Sequence, residues 1–170
     1  MDQHPSFFNT GSVVWDVKSA DKYDAIREVV FRSPLFQELP ELDLEDFAER
    51  VIARERIQTT GFGHGVAVAH GRTYQVDGSH VCLGVSRKGI DFQAVDGEPV
   101  YLLFIVANHP DLQTDYLSIL STLVSIVRNK EMRGELLSCI TGEELEFKLL
   151  NAIESIYETS RNKQNTAKRA

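Results

Sequence analysis

Cysteine and tryptophan are scarce in this chain, and long apolar runs are missing. Only two cysteines, Cys82 and Cys139, occur in 170 residues, each inside an apolar segment. This excludes a secreted disulfide framework and makes small buried side chains the expected role of both thiols. No run approaches the roughly 20 apolar residues that span a bilayer. The opening MDQHPSFFNT has no basic segment leading into an apolar stretch. Neither membrane insertion nor a signal peptide is expected, and the cytoplasm is the expected compartment. The five histidines, at positions 4, 64, 70, 80 and 109, lack the His-x-x-x-His spacing, and the cysteines lack Cys-x-x-Cys. No metal site is therefore expected. No Gly-x-Ser-x-Gly elbow is present for a serine hydrolase.

Basic residues are in the minority: 18 Lys and Arg against 25 Asp and Glu give a net charge of -7. The last thirteen residues hold four of the basic residues and one acid, so the body before them carries a surplus of ten acids. An acidic body excludes nucleic acid as the expected partner. It suits solubility, and equally docking to a basic patch on another protein. Hydrophobic residues make up 42%, too many for disorder and enough for one packed core. No proline-rich linker or internal repeat divides the chain. The expectation is one domain over residues 1–157, followed by a polar, aperiodic and disordered tail over 158–170.

Periodicity predicts five helices. Ser19 is the expected cap of the first, with Tyr23, Ile26, Val29 and Val30 on its inner face. Asp43 caps the second, in which Leu44, Phe47, Ala48, Val51 and Ile52 follow helical spacing. The third carries a stripe of Tyr116, Ile119, Leu120, Leu123, Val124 and Val127. A short fourth spans 130–138. The fifth starts at Thr141-Gly-Glu-Glu144, a capping-box spacing. Between the second and third helices lie β-branched runs at 66–69, 81–85 and 100–106, bounded by glycine and proline. Val13-Val14-Trp15 can add a strand. The run Val100-Tyr-Leu-Leu-Phe-Ile-Val106 is apolar throughout, as in a strand buried on both faces. The expected class is α/β, with helices packed on a mixed sheet.

The densest feature is Thr59-Thr-Gly-Phe-Gly-His-Gly-Val-Ala-Val-Ala-His-Gly71. Alternating glycines let backbone N–H groups approach an anion closely, so Thr60, Gly61, Gly63, Gly65 and Gly71 are candidates for cradling a phosphoryl group. The Gly61-Phe-Gly63 pattern is not a dinucleotide fingerprint, because a helix precedes it, a strand follows it, and Val66 stands at the third glycine position. His70, between Ala69 and Gly71 at a strand end, has little steric cover. With an unperturbed pKa near 6.5, an imidazole is largely neutral near pH 7 and can attack phosphorus. A guanidinium suits the charge of phosphoryl oxygens, and Arg54 and Arg56 stand just upstream.

These residues resemble the enzyme IIA domain of the fructose, mannitol and nitrogen-regulatory branches of the bacterial phosphotransferase system. The family segment Arg-Glu-x-x-x-[Ser/Thr]-Thr-Gly-[Ile/Leu]-Gly-x-Gly-[Ile/Val]-Ala-[Ile/Val]-Pro-His-Gly is similar to Arg54 through Gly71. Ile90-Asp-Phe-Gln-Ala-Val-Asp-Gly-Glu-Pro-Val100 resembles a second family segment, and Thr141-Gly-Glu-Glu-Leu145 the start of its last helix. The likeness spans residues 10–155. It implies a mixed sheet sandwiched by helices on both faces. It also implies that His70 accepts a phosphoryl group from the phosphocarrier HPr or its nitrogen-branch paralogue, and that Arg54 balances the charge. No metal or organic cofactor is implied.

Two positions depart from the family pattern. Ala69 replaces the usual proline and leaves the approach to His70 freer. Tyr116 stands where many members carry a second histidine; its hydroxyl can hydrogen-bond but cannot become a cation near neutral pH. His109 is a possible substitute. Three functions stay open: a stand-alone nitrogen-type regulator, which is favoured because no IIB or membrane segment is present; a transport enzyme IIA that donates to an enzyme IIB; and a binding module that kept the fold without the chemistry.

Overall fold

The computed structural model describes residues 7–9 and 11–169; His4 and the rest of the first six residues lie outside them. In chain order the elements are β1 (Val13–Val14), α1 (Lys22–Arg32), α2 (Pro34–Gln37), α3 (Leu44–Ile57), β2 (Gly61–Gly63), β3 (Val66–Arg72), β4 (Ser79–Ile90), β5 (Val100–Asn108), α4 (Gln113–Arg128), α5 (Lys130–Leu137) and α6 (Gly142–Arg169). The strands form one mixed sheet in the order β1-β4-β5-β3-β2. β5 sits at its centre, antiparallel to β4 and parallel to β3. That position explains why 100–106 reads as apolar without alternation: side chains on both faces of β5 are buried.

Helices cover both faces, and alternate residues of β3 sort between them. Ala67 and Ala69 pack with Phe47, Val51 and Ile52 of α3 and with Val29 and Val30 of α1. Val66 and Val68 pack with Ile119, Leu123 and Ile126 of α4 and with Leu145 and Leu149 of α6. By strand alternation His70 and Arg72 belong to the α4 side. Cys82 and Cys139 are free thiols buried in the two clusters. No helix of the described residues is long and apolar enough to cross a membrane.

Local signals placed most boundaries, with corrections. Asp43 caps α3 by accepting from the Asp46 N–H at 3.0 Å. Thr141 caps α6, its hydroxyl accepting from the Glu144 N–H at 3.2 Å. The first cap, however, is Asp21, which accepts from the Tyr23 and Asp24 N–H groups. Ser19 instead donates its hydroxyl to Glu28 at 2.8 Å. The four-residue α2, capped by Ser33 with Pro34 at its start, is too short to show a period. The expected disordered tail is helical as far as Arg169, exposed throughout from Glu158 onward. A helix already nucleated by packing extends easily through good helix formers such as Arg161, Lys163, Gln164 and Ala167.

Candidate functional site

The site forms where the C-terminal end of β3 meets the start of α4 and the end of α3. His70 pairs in register with Val106 of β5, which locks its backbone into the parallel ladder. Ala69 pairs with Ile105 and is 1% exposed. The approach to His70 is thus held by the ladder and by packing against α3, not left loose by the missing proline ring.

Tyr116, in the first turn of α4, places its Oη 3.1 Å from His70 Nδ1. The two rings lie 4.8 Å apart, tilted by 41°. One ring nitrogen is therefore engaged, and Nε2 has no protein partner among the described residues. Burial pulls the His70 pKa down to about 4, and the positive charges of Arg54 and Arg72 add to the effect. The imidazole is accordingly neutral at pH 7, the form in which a ring nitrogen carries a lone pair. Burial raises the Tyr116 phenol above its usual value, opposed by the same two arginines. It stays a neutral hydroxyl.

Arg54 lies in the last turn of α3 and donates to the Gln58 carbonyl at 3.1 Å. Arg56 points elsewhere, its guanidinium 5.4 Å from the Tyr23 ring. Gly71 explains how α3 comes this close. A Cβ there would lie 2.9 Å from Val51 Cγ2, 3.0 Å from Phe47 Cε2 and 3.3 Å from the Val51 nitrogen. Arg54 is three residues beyond Val51, on the same helix face. The bare backbone beside His70 thus sets the position of the guanidinium.

The other candidates sit apart from the imidazole. Gly61 pairs with Ala67 and Gly63 with Val66, about 10 and 13 Å back along the strand from His70 at ~3.3 Å per residue. Gly65 follows them in the turn of this hairpin, with a φ of +77°. Gly61 is a packing glycine: a Cβ would lie 2.9 Å from the Ala94 Cβ. The N–H of His64, in the same turn, donates to Asp96 at 2.9 Å. Thr60 comes nearer, accepting on its carbonyl from the Val68 N–H. Its own N–H and hydroxyl are turned to the Glu55 carboxylate at 3.1 and 2.5 Å. Glu55 is 1% exposed and paired at 3.5 Å with Lys22, itself 4% exposed. His109 accepts on Nδ1 from the Asp111 N–H at 3.1 Å and meets the Tyr74 ring edge-on, so it does not take the place beside His70. Sequence reasoning missed Arg72. Strand alternation was the signal that could have found it, since it stands two residues beyond His70.

The family model described as "Phosphoenolpyruvate-dependent sugar phosphotransferase system, EIIA 2" matches residues 6–152. The chain is 32% identical over 109 residues to the nitrogen regulatory protein of Pseudomonas aeruginosa, covering 64% of this chain and 71% of that one. It is 30% identical over 122 residues to the fructose-specific EIIABC component of Bacillus subtilis, covering 72% of this chain. The match spans only 19% of that much longer protein. Among solved structures, nitrogen regulatory protein IIA-Ntr from Neisseria meningitidis superposes with a TM-score of 0.75 at 29% identity, covering 84% of this chain and 96% of that one.

Proposed function

The chain belongs to the phosphoenolpyruvate-dependent sugar phosphotransferase system EIIA 2 family, and on that premise we propose that it is a cytoplasmic phosphoryl carrier with His70 as the acceptor. The donor is an HPr-like phosphohistidine carrier or its nitrogen-branch counterpart. The observation that carries the proposal is the 3.1 Å contact between Tyr116 Oη and His70 Nδ1, which leaves Nε2 as the open nitrogen. In the reactive tautomer Nδ1–H donates to Tyr116, and the Nε2 lone pair faces the donor. A bond forms from Nε2 to phosphorus while the donor's phosphorus–nitrogen bond breaks, its electron pair staying on the donor's imidazole. Catalysis of this kind is chiefly positioning and charge stabilisation. Arg54 supplies positive charge beside the phosphoryl oxygens, and the Tyr116 oxygen holds the Nδ1 proton as the ring gains charge.

Regulation of the nitrogen type is the reading we favour over sugar transport, supported by the higher TM-score to IIA-Ntr of Neisseria meningitidis, 0.75, than to IIA mannitol of Escherichia coli, 0.67. Sequence identity is similar to both kinds of relative. In the transport alternative the next acceptor is an enzyme IIB. A third reading, a binding module that docks without chemistry, draws on Tyr116 in place of a second histidine. The test is intact mass after incubation with enzyme I, HPr and phosphoenolpyruvate, beside a His70→Ala variant. An acid-labile phosphoryl adduct on the natural chain alone supports the carrier. Folded protein that gains no mass from HPr or a nitrogen-branch carrier refutes it and leaves the binding module.

A further inference from the structure

The phosphoryl site receives positive charge from two directions, and only one of them was legible from the family pattern. Arg54 arrives from α3, on one side of the sheet. Arg72 is the last residue of β3, paired with Asn108 and exposed. It stands two residues beyond His70, about 6.6 Å along the strand. Strand alternation sends both side chains to the α4 face, the face from which Tyr116 reaches the imidazole. Among the described residues no carboxylate pairs with either guanidinium.

We propose that Arg72 is a second catalytic cation, binding the phosphoryl oxygens on His70 from the side opposite Arg54. The inference rests on the carrier reading above. Both arginines depress the protonation of His70 and both oppose the rise in the Tyr116 pKa, with Arg54 the stronger in each case. Their fields therefore converge on the same two groups. A transferring phosphoryl group spreads negative charge over three equatorial oxygens, so cations on two sides neutralise more of it than one can. Arg72 forms no covalent bond and moves no proton; it lowers the cost of charge at phosphorus while Nε2 attacks. Its exposure leaves it free to turn toward the phosphoryl group during transfer, so alignment of that group falls to Arg72.

The test uses the full chain with Arg72→Ala, Arg72→Gln and Arg72→Lys, all read two ways. In the unphosphorylated protein, NMR titration of His70 should show the midpoint rising in the Ala and Gln variants, because a neighbouring positive charge has gone. With enzyme I, phosphoenolpyruvate and varied HPr, kcat should fall about 10- to 100-fold in the Ala and Gln variants, as expected for one charge-assisted contact. Lysine should restore part of the rate, since it returns the charge without the bidentate fork. An unmoved His70 midpoint overturns the inference. So does a loss confined to KM, which would make Arg72 a donor-docking residue. If the natural chain is phosphorylated and the Ala variant keeps pace, this inference alone fails. If the natural chain takes no phosphoryl group, the carrier reading fails with it.

Discussion

Gly71→Ala tests how the site is assembled without touching a reacting atom. The added methyl would lie 2.9 Å from Val51 Cγ2, 3.0 Å from Phe47 Cε2 and 3.3 Å from the Val51 backbone nitrogen. Ordinary carbon contacts fall at about 3.5–4.0 Å. Phe47 and Val51 are both fully buried, so neither side chain has free space to swing into. The backbone nitrogen cannot turn aside at all. α3 must therefore retreat by roughly half an ångström, at an overpacking cost of about 1–3 kcal/mol. For a chain of this size each kcal/mol lowers Tm by about 2–4 °C. Because Arg54 rides on the same helix, its charge withdraws from His70 and the depressed midpoint near 4 moves upward. Urea unfolding and NMR titration of the His70 ring measure the two effects. A loss under about 0.5 kcal/mol with an unchanged midpoint would refute the packing argument.

Three further outcomes follow from the same geometry. The folded-state pKa of His70 lies near 4, below its ordinary 6.5, so the unfolded chain binds the extra proton first. Stability should be lost as pH falls from about 6.5 toward 4 and be fully present above that window. His80, also lowered by burial, acts in the same direction. A His70→Gln variant should show a shallower acid limb in urea midpoints measured from pH 7 to pH 4. Lys22→Met should cost about 3–5 kcal/mol by stranding the buried Glu55 carboxylate, and Lys22→Met with Glu55→Met should recover part of it. The recovery is partial because Thr60 then loses its acceptor; denaturant midpoints decide. Removal of residues 158–170 should change stability by no more than about 0.5 kcal/mol, since 158–169 are exposed. A larger loss would place the domain end beyond residue 157.

Local signals carried much of the architecture. Asp43 and the Leu44–Ile52 stripe define α3 because cap and period are properties of neighbouring residues. Centrality of β5 was legible because only a strand covered on both sides is apolar at every step. The hairpin glycines were not legible in the same way. Gly61 serves close packing and Gly65 a positive φ, and a glycine meeting either need looks identical in sequence to one that admits an anion. The candidate imidazole and arginine were singled out through the family pattern. The tyrosine contact was foreseeable only as a position, because its direction depends on how α4 leans on the sheet. Glu55 accepts from Thr60 in the loop just after α3 but also pairs with Lys22 at the distant start of α1, and no local pattern announces that second pairing.

The sheet order has a consequence for how such a protein behaves among other chains. Its two outermost strands are β1, of two residues, and β2, of three. An exposed strand edge is a template on which a foreign segment can build, and short edges blunt that risk. β2 is also Gly-Phe-Gly, with a shifted register against β3 that breaks any long run of free backbone groups. The longest strands, β4 and β5, lie inside. Adhesion by strand addition, the route to aggregates, has little edge on which to begin in a sheet made this way.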